Sequence, residues 1–345
     1  MKVGFHVGPL KNGHSGRGMG VYTQNLLKSL KEEGLSIQEF TDINEANDVD
    51  LIHYPFFDFF QHSLKMNKIP TVVTIPDITP LVFPEHYPSG LKGAFNLLRQ
   101  RQSLKKVRSI ITISEASKKD IVNYFSVDPK KVEVTYLAHN IRFNSQKNMK
   151  LMKDVKQKYK LPDSFALYPG SVNWNKNLSG MADACVESNT HFVLVGKGFE
   201  NRENLNHPEL KPFAQFLEKY EHHPLIHILG FVPDEELVSL YHLSSFLLFA
   251  TFYEGFGLPI LEAQACGTPV ITSRVSSCPE VAGKGALLVD PYNTSDIVKA
   301  IKKLNDIKLK DSLIHEGYRN TERFSWTKTA QQTISIYEKV LQQTH

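Results

Sequence analysis

The sequence predicts an α/β protein of two doubly wound, Rossmann-like domains that face a cleft. Three observations predict it. Short β-branched runs alternate with helical stretches over residues 1–125, and the alternation restarts at residue 165. A lysine-rich stretch carrying Lys147, Lys150, Lys153, Lys156 and Lys158 ends at Leu161-Pro162-Asp163 and separates the two series. A length of 345 residues suits two domains better than one. Residues 1–160 are therefore expected to form an N-terminal domain and residues 161–325 a C-terminal one. A last helix from Trp326 has no strand after it, so residues 326–345 are expected to cross back to the first domain.

In the first series, strands are expected over 2–7, 36–40, 51–54, 71–75 and 109–113, with helices over 21–33, 91–107 and 115–125. The opening Met1-Lys2-Val3-Gly4-Phe5-His6-Val7 is too short an apolar run for a secretory leader and reads as the first strand. In the second series, strands are expected over 165–169, 191–195, 226–229, 246–249, 269–272 and 286–289. Helices are expected over 178–188, 234–243, 258–266 and 295–304. In such sheets a ligand lies at the carboxyl ends of the strands.

Composition narrows the function. Cys185, Cys266 and Cys278 are odd in number and lack metal-ligand spacing, which argues against a disulfide framework and a zinc site. No apolar run approaches the ~18 residues of a membrane-spanning helix, so a reducing, cytoplasmic setting is expected. The net charge of +4 is too mild to imply nucleic-acid binding. Its distribution is uneven: residues 1–160 carry +9 and the remainder −5, so the first half is expected to meet something anionic.

The sharpest local feature runs Thr251-Phe252-Tyr253-Glu254-Gly255-Phe256-Gly257-Leu258-Pro259-Ile260-Leu261-Glu262. An apolar strand enters a loop with two glycines, and a helix opens at Leu258-Pro259, where proline suits the first turn. Free N–H groups at that helix start favour an anion such as phosphate. Glu262 lies about a turn further on, and a carboxylate accepts paired hydrogen bonds from two vicinal hydroxyls. Glu254, before the loop, can do the same for a second sugar. A diphosphate with a sugar at each end fits this pattern.

This segment is similar to the Glu, seven residues, Glu signature of family-four retaining glycosyltransferases, which have the GT-B fold. The resemblance implies that Glu262 binds the nucleotide ribose, that Glu254 meets the donor sugar, and that Gly255, Phe256, Gly257 and Leu258 lie along sugar and diphosphate. A second match, Tyr168-Pro169-Gly170-Ser171-Val172-Asn173-Trp174-Asn175-Lys176-Asn177-Leu178, resembles the family's strand, glycine turn and phosphate lysine. It implies that Lys176 stabilises the leaving diphosphate and that Ser171 stands where many relatives carry a donor-binding arginine. A third, Asn12-Gly13-His14-Ser15-Gly16-Arg17-Gly18-Met19-Gly20, resembles the loop that closes over the donor phosphates, with Gly18 and Gly20 as the closest backbone. In Ile75-Pro76-Asp77, Pro76 occupies the place of a histidine common in relatives, next to Asp77 on the acceptor side. His53, His86 and His139 are the candidates to substitute for it.

Taken over the whole chain, the resemblance implies a retaining, metal-independent hexosyltransferase without cofactor. Its donor would be a nucleotide diphosphate sugar, UDP- or GDP-linked, and its acceptor a hydroxyl of a glycan or lipid-linked acceptor in polysaccharide biosynthesis. Two other classes stay open: a catalytically weak accessory subunit that binds the sugar nucleotide, motivated by Ser171 and Pro76, and a nucleotide-sugar epimerase. Asp48-Val49-Asp50 fits a metal-binding Asp-x-Asp but leads straight into a buried strand. Phe56-Phe57-Asp58-Phe59-Phe60 suits either a lipid acceptor or a core edge. The stretch from Leu91 to Arg108 holds Lys92, Arg99, Arg101, Lys105, Lys106 and Arg108 and no acid, with Leu91, Phe95, Leu98 and Gln102 on one face. It suits an anionic membrane surface, and equally an ordinary helix whose apolar face covers the sheet.

Overall fold

Twelve strands form two all-parallel sheets in the computed structural model, which describes residues 1–11 and 18–343. The first sheet contains β1 (Lys2–His6), β2 (Ser36–Phe40), β3 (Leu51–Tyr54), β4 (Thr71–Thr74), β5 (Ser109–Thr112) and β6 (Val132–Val134), in the order β2-β1-β3-β4-β5-β6. Every residue of β3, β4 and β5 is buried. Helices cover both faces of a parallel sheet, so such strands read as continuous apolar runs rather than alternating ones. The fold separates into two units, residues 1–138 with 324–345, and residues 139–323.

The helix Trp326–Gln342 belongs to the first unit, with Ser325 capping its start by accepting from the Lys328 N–H. It is fastened there by polar contacts rather than by apolar packing alone. The Thr329 hydroxyl donates to the Tyr136 carbonyl at 2.6 Å. Tyr337 shares a 2.6 Å hydrogen bond with His53 Nδ1, and His53 Nε2 bonds the Thr74 hydroxyl at 2.9 Å, which also meets the Tyr22 hydroxyl at 3.1 Å. Burial drives the His53 pKa down to about 3, so the ring is neutral and structural.

The second sheet contains β7 (Phe165–Pro169), β8 (His191–Val195), β9 (Ile226–Gly230), β10 (Phe246–Phe249), β11 (Val270–Ser273) and β12 (Leu287–Val289), in the order β12-β11-β10-β7-β8-β9. The strand order reverses between β10 and β7. That crossover opens a crevice outside their carboxyl ends, where ligands bind in open α/β sheets. The lysine-rich stretch, expected as the domain boundary, forms the helix Met149–Lys158 inside this unit. Its Lys158 and the adjacent Tyr159 both bond Glu236, at 2.8 and 2.6 Å.

The expected strands all form, within two residues at each end. Sequence reading misses β6 and the helices Lys211–Tyr220 and Ile307–Thr321. Among the described residues no helix is long and apolar enough to cross a membrane. The three cysteines are free and buried.

Candidate functional site

Two loops of the second unit meet at the β7/β10 crossover. The loop after β7 runs from Gly170 to Asn177, where Asn177 turns left-handed (φ +52°) and opens the helix Leu178–Glu187. This turn is tight. A Cβ on Gly196, at the end of β8, would stand 2.1 Å from the Gly170 carbonyl oxygen, and its φ of +152° also favours glycine. The loop after β10 spans residues 251–257. It ends at Gly257 (φ +102°), after which Leu258–Ala265 starts as a helix with Pro259 in its first turn.

Four side chains hold the second loop in shape. Asn175 Nδ2 donates to the Tyr253 carbonyl at 2.8 Å, and Asn177 Nδ2 donates to the Ala250 and Pro291 carbonyls at 2.9 and 2.8 Å. The Ser276 hydroxyl donates to the Glu254 carbonyl at 2.6 Å. The Ser277 hydroxyl bonds the Glu254 carbonyl at 2.9 Å and the Phe256 carbonyl at 2.8 Å. Carbonyls at Tyr253, Glu254 and Phe256 are thus drawn toward the protein.

Lys176 and Glu254 meet across the crossover. The ammonium lies 2.8 and 2.9 Å from the two carboxylate oxygens, and the Glu254 residue is only 8% exposed. The ammonium also sits 5.9 Å from the Phe249 ring centre, on the last residue of β10. A part-buried lysine in contact with both oxygens of a buried carboxylate forms a charge-assisted pair.

Glu262 lies on the helix one turn beyond its start, with Tyr241 donating to its Oε2 at 2.7 Å. Burial pushes the Glu262 carboxyl up to about 7, against the lowering effect of the Tyr241 bond. The structure therefore brings Ser171, Lys176, Glu254, Gly255, Phe256, Gly257, Leu258 and Glu262 to the loops and helix start at the carboxyl ends of β7 and β10. Ser171 is exposed, and its carbonyl accepts from the Tyr168 hydroxyl at 2.9 Å.

The remaining candidates lie in the first unit, except His139, which opens the second. Gly18 starts the helix Gly18–Glu32, and among the described residues nothing beyond its own chain neighbours and helix backbone lies within 4 Å of where its Cβ would stand. The rest of that glycine-rich segment, residues 12–17, lies outside the described residues. Pro76 and Asp77 follow β4. The Pro76 carbonyl accepts from the Thr112 hydroxyl, and Asp77 caps Thr79 through bonds of 2.8 and 2.6 Å to its N–H and hydroxyl. Of the substitute histidines, His53 is locked in the core network and His139 is depressed in pKa by burial. Asp48 and Asp50 bind Lys2 at the amino edge of the sheet. Phe57 is fully buried and Phe59 and Phe60 pack against the same core, so the phenylalanine cluster is a core edge.

Comparison with known proteins decides the family. Residues 151–320 match the glycosyl transferases group 1 family, and residues 35–141 match glycosyltransferase family 4. The O-antigen chain mannosyltransferase B of Escherichia coli is 31% identical over 295 residues, covering 84% of this chain and 74% of that one. The chain belongs to the group 1, family 4 glycosyltransferases. Among solved structures, this glycosyltransferase is similar to sucrose-phosphate synthase from Thermosynechococcus elongatus, with a TM-score of 0.77, 16% identity and 99% of both chains covered. It is also similar to Anabaena Alr3699/HepE, solved in complex with UDP-glucose, with a TM-score of 0.76, 17% identity and 98% and 100% covered. The fold is GT-B.

Sequence reading of the glycosyltransferase missed Asn175, Asn177, Ser276, Ser277 and Tyr241. Asn175 and Asn177 flank Lys176, but nothing in the spacing says that their amides reach loop carbonyls far along the chain. Ser276 and Ser277 sit just after β11, and their part depends on a strand neighbour that only the sheet order reveals.

Proposed function

We propose that this glycosyltransferase moves a mannosyl residue from a nucleotide diphosphate donor, GDP- or UDP-linked, to a hydroxyl of a glycan or lipid-linked acceptor in polysaccharide assembly. The observation that carries the donor site is the Lys176–Glu254 pair at the β7/β10 crossover, beside the start of the helix Leu258–Ala265, whose positive dipole end favours phosphate. The mannosyl assignment draws on the name of the Escherichia coli relative. Retention of configuration and independence of metal follow the family resemblance.

In this reading the donor diphosphate takes Lys176 from Glu254, and the freed carboxylate accepts hydrogen bonds from the donor sugar. Lys176 then faces the charge that develops as the sugar–phosphate bond breaks, where a preorganised cation is worth most. The backbone at Gly255, Phe256, Gly257 and Leu258 lines sugar and diphosphate, and Glu262 accepts from the two ribose hydroxyls. Ser171 stands at the edge of the phosphate turn. The acceptor hydroxyl attacks from the face the leaving group departs from, and its proton goes to the departing phosphate oxygen. Gly18 and Gly20 as phosphate-contacting backbone, and Pro76 and Asp77 as acceptor-side residues, are assignments from the resemblance. Replacing Lys176 by alanine tests the reading: kcat, measured well below the melting temperature, should fall by about 10²-fold or more. A fall under threefold removes Lys176 from the leaving-group role.

A further inference from the structure

The helix Gly90–Lys106 does not cover the sheet with the apolar stripe its sequence displays. It packs inward through Gly93, Gln100 and Leu104, which are buried, and through the partly buried Leu97. Gln100 Nε2 ties this inner face down, donating to the Asp58 and Gln61 carbonyls at 2.6 and 2.8 Å. The stripe Leu91, Phe95 and Leu98 points the other way and is 94%, 61% and 59% exposed. At 100° per residue the same ridge continues through Gln102 to Lys105, and a second ridge of Lys92, Arg99 and Lys106 runs beside it. The helix carries no acid.

The basic end of the helix opens onto a cavity of about 390 Å³ at the amino edge of the first sheet. Lys68, Lys105, Lys106, Arg108 and Lys131 line it, all five are exposed, and no acidic residue is among its walls. This edge is opposite the one where Pro76 and Asp77 follow β4, so its occupation leaves the carboxyl ends of that sheet open.

We infer that this face is a docking surface for an anionic lipid bilayer. Leu91, Phe95 and Leu98 enter the headgroup boundary, and a phospholipid headgroup phosphate sits in the pocket of Lys68, Lys105, Lys106, Arg108 and Lys131. An apolar ridge flanked by cations is the pattern of a helix that lies in the interface plane. The charge complementarity selects anionic lipid, since each cation near such a surface contributes about fivefold in partition. The inference stands apart from the donor site, because membrane binding is read without turnover.

Co-sedimentation of the full chain with vesicles tests it. Phosphatidylcholine vesicles doped with phosphatidylglycerol should pull the protein down, pure phosphatidylcholine vesicles should not, and binding should fall steeply as salt rises. The triple substitution Leu91→Ser, Phe95→Ser, Leu98→Ser should cut partition at least tenfold with an unchanged melting temperature, because all three side chains are solvent-facing. Lys105→Glu with Lys106→Glu should cut it by a similar factor. Equal binding to both vesicle types, or unchanged partition of the triple variant, overturns the proposal. Binding that millimolar glycerol phosphate fully displaces also overturns it, because the pocket would then serve a soluble phosphate.

Discussion

Replacing Glu262 by glutamine should make the ligand-free protein more stable while weakening nucleotide binding. Burial raises this carboxyl from its ordinary 4.5 to about 7, so holding it ionised costs about 3 kcal/mol at 1.36 kcal/mol per pH unit. The sign follows from proton linkage. The folded protein holds this proton more tightly than the unfolded chain, so stability is full below about 4.5 and is lost as pH rises through about 7. Glutamine keeps an acceptor for the Tyr241 hydroxyl but carries no charge. At pH 8 the variant should gain up to about 3 kcal/mol, or several degrees in melting temperature for a unit of this size. At pH 5, where Glu262 is protonated in the fold, the gain should shrink below about 1 kcal/mol. Thermal melts at the two pH values, with nucleotide affinity measured alongside, provide the test. A variant that is destabilised equally at both would refute the buried-charge account of Glu262. A variant with unchanged nucleotide affinity would remove it from the ribose role.

Other perturbations separate the parts of the site. Lys176→Met should destabilise the protein by about 3 kcal/mol, because it removes the cation that pairs with the buried Glu254 carboxylate; adding Glu254→Gln should recover more than half of that, as a denaturant double-mutant cycle would show. Ser277→Ala removes the hydroxyl shared between the Glu254 and Phe256 carbonyls and should cost about 1 kcal/mol by chemical denaturation, with turnover falling further as the loop loosens. Tyr337→Phe removes the hydroxyl that meets His53 and should cost about 1 kcal/mol, read by chemical denaturation, with nucleotide affinity unmoved.

Much of this architecture is legible because parallel strands buried on both faces leave uninterrupted apolar runs, as Leu247-Leu248 and Val193-Leu194-Val195 do. What escapes is marginal or two-faced. β6 is three residues long and edged by Lys130 and Lys131, so no run of apolar residues announces it. The helix Met149–Lys158 reads as a domain boundary because only Met152 and Val155 of it are buried and lysines fill the rest of its surface. In the helix Gly90–Lys106, hydrophobicity alone does not say which face is buried. Polar Gln100 takes the interior, since its amide satisfies loop carbonyls there, and Leu91, Phe95 and Leu98 are left outside. Lys176, Glu254 and Glu262 are legible as a charge pattern around a glycine turn. The side chains that shape that turn act through contacts distant in sequence and leave no local signal.

The most direct test of the donor site is the melting temperature of the protein with and without GDP-mannose and other GDP- and UDP-linked sugars, in the wild type and in the Lys176→Ala, Glu254→Ala double variant. One sugar nucleotide at about 100-fold over its Kd should stabilise the wild type by about 2.7 kcal/mol, and the double variant should lose most of that shift. No stabilisation by any of them, or the same shift in the double variant, would contradict a donor site built on the β7/β10 crossover.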